Sequence, residues 1–149
     1  MMSLGLKQGD EVITTNFTFI ATVEAVALLG LKPVIVDPEP GNFNISVGEI
    51  KKAITPRTRA IVPVHLFGQC ADMDGIMKIA GEHDLLIIED AAQATGTDYL
   101  FPGGIVKKAG TIGNAGTTSF FPSKNLGCYG DGGAVYTNDD DLAKKLRSI

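Results

Sequence analysis

The sequence predicts an α/β fold, with a mainly parallel sheet and flanking helices, from two observations. Short apolar stretches recur at 11–15 (EVITT), 33–37 (PVIVD), 59–67 (RAIVPVHLF) and 85–90 (LLIIED). They are β-branched and nearly continuous rather than alternating, as strands buried on both faces are. Segments of helical length lie between them, and this alternation gives parallel strands joined by right-handed crossovers.

The first connecting segment, ATVEAVALLG (21–30), is rich in Ala and Leu and ends at Gly30, which suits a helix C-terminus. Ser46 and Glu49 have capping-box spacing at the head of the next helix, although Gly48 weakens it. In DMDGIMKIAGEHD (72–84), Met73, Ile76, Met77 and Ala80 fall on one helical face. That pattern reads as a buried stripe rather than a functional methionine set. From Asp98 to Gly116 the rhythm breaks into a loop rich in Gly and Lys. TTSFF (117–121) and GAVYT (133–137) then resemble a strand pair bracketing a lysine-bearing loop. In the closing NDDDLAKKLRSI, Asn138 is the expected N-cap, with acids in the first turn and bases later, as a helix dipole favours. The chain stops in mid-helix, from which the domain is expected to continue; no internal repeat or long linker is evident.

Composition narrows the function. At 149 residues, with 44% hydrophobic and 20% charged residues, the chain fits one globular domain. A formal charge of −4 with scattered Lys and Arg gives no field for nucleic acid. No apolar run approaches a membrane span, and the first residues lack the features of a signal peptide, so no membrane partner and a cytoplasmic location are expected. Cys70 and Cys128 make no metal-ligand or disulfide pattern and read as reduced packing thiols.

Two residues could carry chemistry. Asp90 ends the most apolar strand, where an ionised carboxylate needs a partner. It either caps a short helix or loop amides, or faces a cationic ligand. Lys124 lies between an aromatic stretch and a glycine-rich run, in SFFPSKNLGCYGDGG (119–133). It is either an ordinary surface amine or one held in a crowded place by Pro122 and by Gly127, Gly130, Gly132 and Gly133. A lysine needs desolvation or a neighbouring cation to act as a nucleophile near neutrality. His65, inside a predicted strand, and His83, at a charged helix end, read as structural or solvated. No GxxxxGK[ST] or GxGxxG pattern follows a strand, which disfavours a kinase or nicotinamide enzyme. A strand-end acid with a loop lysine is, however, the pair that pyridoxal phosphate uses: the acid keeps the ring nitrogen protonated and the amine forms the Schiff base.

TTNFTFIATVEAV (14–26), EDAAQA (89–94) and SFFPSKNLGCYGDGG, in that order, resemble the DegT/DnrJ family of nucleotide-sugar aminotransferases. DEVITT, ITPRTRAIVPVHLFGQ and ADMDGI fit the same family, so the resemblance covers essentially the whole chain. It implies the type I fold of pyridoxal-phosphate enzymes, with Lys124 as the Schiff-base lysine and the proton carrier. It further implies that Asp90 pairs with the pyridinium nitrogen, that Gln93 reaches the ring or its phenolic oxygen, that Ser119 bonds the phosphate and that Phe19 stacks on the ring. Lysine at 124 favours transamination over the dehydratase chemistry of relatives with histidine there. The implied reaction moves an amino group, usually from glutamate, to a nucleotide-linked keto-sugar. The residues around Lys124 look most like those of relatives that aminate a UDP-linked N-acetylated keto-sugar or sugar acid of the 3-oxo-glucuronate type for surface polysaccharide.

Family members are more than twice as long. Residues 1–149 are therefore expected to be a cofactor-binding large-domain fragment, truncated at both ends, without the preceding phosphate-binding turn or the C-terminal small domain. The whole protein is expected to be a homodimer, and the fragment to expose apolar surface and be poorly stable. The alternatives are a non-catalytic cofactor-binding or dimer-forming remnant, and an unrelated α/β domain with a coincidental lysine loop.

Overall fold

The computed structural model describes residues 1–149. In chain order its elements are β1 (Glu11–Thr15), α1 (Ile20–Leu28), β2 (Lys32–Val36), α2 (Val47–Ala53), β3 (Thr58–Val62), α3 (Met73–His83) and β4 (Leu86–Asp90). After these come β5 (Asp98–Leu100), β6 (Val106–Lys108), β7 (Ala115–Ser119), β8 (Gly133–Tyr136) and α4 (Asp140–Arg147). The expected α/β architecture with a mainly parallel sheet is what forms: one six-stranded sheet in the order β2-β1-β3-β4-β7-β8, parallel except for β8. No helix is long and apolar enough to cross a membrane.

Side chains alternate across the strands and feed two cores. Ile13, Ile61 and Ile87 join Ile50, Met73 and Ile76 of α2 and α3 in the larger one. Val12, Ala60, Val62 and Ile88 meet Val26 of α1 in the other. This double burial is why β1, β3 and β4 read as continuous apolar runs; β2, at the sheet edge, is half exposed despite its apolar sequence.

The helix ends follow local chemistry. Past α1 the Gly30 N–H donates to Ala27 C=O and the Leu31 N–H to Val26 C=O, with Gly30 at φ 69°. This is a Schellman closure, and only a residue free of Cβ strain adopts that φ readily. Ser46 caps α2 by accepting from the Glu49 N–H, as the spacing predicts. Asp72 and Asp139 cap α3 and α4.

Four expectations need correction. Met73, Ile76 and Ala80 are buried, but Met77 is 38% exposed and Ile79 is buried instead, because the buried arc of α3 is centred on Ile76 and Met77 falls outside its margin. Asp139 rather than Asn138 caps α4, its carboxylate accepting from both Asp141 and Leu142 N–H, and Asn138 instead donates to Thr111 C=O. His65 lies beyond the end of β3 rather than inside it. Asp98–Gly116 is not all loop: β5 and β6 pair as an antiparallel hairpin.

At the amino end of the sheet, the side chain of Glu11 is almost fully buried and heavily bonded. It accepts from Thr55 Oγ1 at 2.5 Å, Arg57 Nη2 at 2.9 Å and Lys32 Nζ at 3.1 Å. These bonds, Thr55 first, hold its carboxyl at about 2 against the opposing effect of burial. A depressed folded-state value means that this stabilisation is complete above the unfolded value of 4.5 and is lost as pH falls toward 2. The urea midpoint is expected to hold between roughly pH 7 and 5 and to fall below that. Glu11→Gln should lower the midpoint at neutral pH and make the acid limb shallower.

Candidate active site

The strand order reverses around β1, with β2 on one side and β3 on the other. In open α/β sheets ligands bind beyond the carboxyl ends of the strands at such a point. A cavity of about 580 Å³ lies there. Its lining comes from segments following β1, β3, β4 and β7, and includes Phe19, Asp90, Gln93, Ser119 and Lys124, all five residues singled out in the sequence.

Asp90 closes β4, and both of its main-chain groups bond to the segment that follows β3: its N–H donates to Pro63 C=O and its C=O accepts from the His65 N–H, each at 2.9 Å. Its carboxylate accepts from Thr22 Oγ1 at 2.7 Å on one oxygen and from the Ala92 N–H at 3.1 Å on the other. The two readings of Asp90 therefore coexist, since the group ties down a loop amide and still lines the cavity. Thr22 gives its single hydroxyl proton to Asp90, so in its 3.1 Å contact with Thr18 the latter is the donor.

Gln93 and Ser119 are each oriented by a backbone amide. Gln93 Oε1 accepts from the Phe67 N–H at 3.0 Å, which leaves the amide NH₂ as the free donor. Phe67 is held in the left-handed region at φ 54°. Ser119 Oγ accepts from the Phe121 N–H at 3.2 Å, leaving its O–H free to donate. Phe19, the N-terminal flanking residue of α1, reaches the cavity with its side chain largely outside it, 71% exposed.

Lys124 sits on the connection between the antiparallel strands β7 and β8, the strand pair expected from TTSFF and GAVYT. The loop closes on its own main chain: Phe120 N–H to Gly132 C=O at 2.7 Å, Cys128 N–H to Phe120 C=O at 2.8 Å, and Lys124 N–H to Phe121 C=O at 2.8 Å. A Cβ at Gly127 would overlap the Pro122 carbonyl, so this turn needs glycine. The Lys124 amine is in no ion pair.

Glu89 and Thr22 were not singled out in the sequence. Glu89 is fully buried and accepts from His65 Nε2 at 2.9 Å, the Gly110 N–H at 2.8 Å, and the Ile112 and Gly113 N–H at 2.6 Å. Burial pushes its carboxyl up, but the bonds from His65 and from the Gly113 and Gly110 amides outweigh that and hold it below the usual range. The available signal was a second acid in an otherwise apolar strand. Its partners, three loop amides and an imidazole 24 residues upstream, follow no spacing rule. His65 is thus buried and hydrogen-bonded rather than solvated.

The thiols divide. Burial, aided by the charges of Glu89 and Asp98, pushes Cys70 up to about 11. Cys128 is exposed, its Sγ donating to Gly130 C=O at 3.1 Å, and so is not the packing thiol expected, because it sits on the outside of the lysine loop.

A family model described as the DegT/DnrJ/EryC1/StrS aminotransferase family matches residues 1–149. Among curated relatives, the UDP-2-acetamido-2-deoxy-3-oxo-D-glucuronate aminotransferase of Pseudomonas aeruginosa is 53% identical over 99% of this chain and 40% of its own length. The UDP-N-acetyl-3-dehydro-alpha-D-glucosamine 3-aminotransferase of Acidithiobacillus ferrooxidans is 50% identical over 100% of this chain and 39% of its own. The chain thus spans about 40% of the length of these relatives. Among solved structures, DesV of S. venezuelae in complex with a ketimine intermediate superposes with a TM-score of 0.90 at 46% identity, covering 99% of this chain and 38% of that one. NtdA of Bacillus subtilis with bound cofactor PMP superposes at 0.85 and 44%, covering 97% and 31%.

Two measurements check this geometry. A thiol reagent is expected to modify Cys128 rapidly in the native chain and Cys70 only on unfolding, since both burial and protonation suppress the Cys70 thiolate. Thr22→Val, which removes the hydroxyl from Asp90, should destabilise the chain by about 1–2 kcal/mol in urea unfolding.

Proposed function

Because the chain belongs to the DegT/DnrJ/EryC1/StrS aminotransferase family, we propose that it is the cofactor-binding core of an enzyme that transfers an amino group to a nucleotide-linked keto-sugar. Its cofactor is pyridoxal phosphate, in keeping with the cofactor-bound structural neighbour. The observation that carries the reading is the convergence of a lysine, a carboxylate, an amide and a hydroxyl on one cavity at the carboxyl ends of the strands.

The residues present fit that cofactor. A cavity of about 580 Å³ with a fixed carboxylate, two oriented neutral donors and an unpaired amine suits a ligand with a basic ring nitrogen, a phenolic oxygen, a phosphate and an aldehyde. When bound, pyridoxal phosphate supplies an electron sink for the carbanion character that develops at the amino-group carbon. Asp90 keeps the ring nitrogen protonated, and Thr22 and Ala92 stop its carboxylate from turning away. Gln93 offers its free NH₂ to the phenolic oxygen, and Ser119 its O–H to the phosphate. Phe19 packs against the ring, where an occupant would cover its exposed face. Lys124 would hold the aldehyde carbon of the cofactor through its amine. Once released, the same amine would carry the proton from the donor carbon to the former aldehyde carbon, two atoms along.

The two UDP-sugar aminotransferases among the relatives support a UDP-linked, N-acetylated 3-keto-sugar as acceptor. Glutamate as donor, a surface polysaccharide as destination and a cytoplasmic setting belong to the same proposal and rest on the family resemblance. So does a homodimer, for which the exposed Phe17, Ile20, Leu28 and Phe43 supply apolar surface.

Incubation with pyridoxal phosphate, borohydride reduction and peptide mapping test the site. A reduced adduct is expected on Lys124 in the parent chain and none at that position in Lys124→Ala; an adduct spread over other lysines would overturn the assignment. In a glutamate-dependent assay with a UDP-linked 3-keto-sugar, followed by 2-oxoglutarate release, Lys124→Ala should lower turnover by roughly a hundredfold or more.

A further inference from the structure

His65 and Glu89 lie outside the cavity, yet both are tied to its carboxylate through the main chain. The Ala71 N–H donates to His65 Nδ1 at 3.1 Å, which leaves the ring proton on Nε2, and Nε2 donates to Glu89 Oε2 at 2.9 Å. The imidazole is therefore neutral, and the contact is a hydrogen bond to an ionised acid rather than an ion pair. The backbone N–H of the same His65 donates to Asp90 C=O at 2.9 Å.

On the other side of β4, Thr117 Oγ1 donates to Glu89 C=O at 3.2 Å and the Ala91 N–H to Thr117 C=O at 2.8 Å. Successive strand residues point to opposite faces. Glu89 consequently grips His65 and the amides of Gly110, Ile112 and Gly113 on one face, while the carboxylate of Asp90 emerges on the other toward Thr22. A group that must meet a single ring atom needs its own support fixed to a fraction of an ångström, and a satisfied buried polar node supplies it.

We propose that His65 and Glu89 are positioning residues for Asp90, setting where its carboxylate meets the ring nitrogen of pyridoxal phosphate. The inference rests on the cofactor role proposed for Asp90. It requires that loss of the node weaken recognition of the ring nitrogen specifically, beyond any general loosening of the fold.

The test compares binding of pyridoxal phosphate with that of its deaza analogue, in which C–H replaces the ring nitrogen. Both are titrated into the parent chain, Glu89→Gln, His65→Gln, Asp90→Asn and Glu11→Gln. The parent is expected to prefer pyridoxal phosphate and Asp90→Asn to lose that preference. In Glu89→Gln and His65→Gln the preference should fall about tenfold, the scale at which removing outer partners of a binding group is felt. Glu11→Gln removes a buried carboxylate at the opposite end of the sheet, so it should cost stability and leave the preference intact. His65→Gln carries the comparison if Glu89→Gln does not fold. A preference retained by whichever of the two variants folds, with a parent that discriminates, overturns the positioning role alone. A parent that binds neither ligand, or does not discriminate, overturns the role of Asp90 and this inference together.

Discussion

An ionised carboxylate buried among backbone amides is the constraint on which the rest of this structure depends. Glu89 receives four hydrogen bonds, three from residues 110–113 and one from His65. Without them an acid inside an apolar strand would be strongly destabilising; with them it dictates the path of the chain. The segment that follows the β5–β6 hairpin must lie across β4, and β7 is delivered alongside β4 in parallel register. Everything beyond β7, including the lysine loop, inherits its position from that docking. Gly116 shows how close it is: a Cβ there would overlap the Gly110 backbone.

The two ends of the sheet divide the labour. At the amino end, Glu11 ties β1 to Thr55, Arg57 and Lys32. At the carboxyl end, polar side chains are bonded on one side and free on the other: Gln93 and Ser119 each spend an acceptor on a backbone amide and keep a donor for a ligand. The same side chains thus contribute to local folding and to recognition. An oriented donor costs little further entropy when a ligand arrives, which is how a scaffold preorganises a site.

The inner strands β1, β3 and β4 were legible because double burial leaves unbroken apolar runs, and the caps at Ser46 and Gly30 were legible because they depend on local spacing. Lys124 and Asp90 could be picked out because each was chemically out of place among its neighbours. The misses have the opposite character. The N-cap was misplaced by one residue at Asn138 and the buried stripe by two at Met77, errors that helical periodicity and cap chemistry alone do not resolve. The short hairpin β5–β6 carries no apolar alternation, since its strands are mostly exposed. Thr22 and Glu89 acquire their roles only from partners 68 and at least 21 residues away, distances that only the folded sheet closes.

The connection between β7 and β8 carries no helix and joins the one antiparallel pair of the main sheet. It is closed by its own main-chain bonds, with Lys124 near its tip and no side-chain tether from the rest of the protein. The tip is therefore mechanically separate from the frame. A residue exchanged there changes what the cavity can do without asking the sheet to repack, so the loop serves as an interchangeable tool head on a fixed chassis.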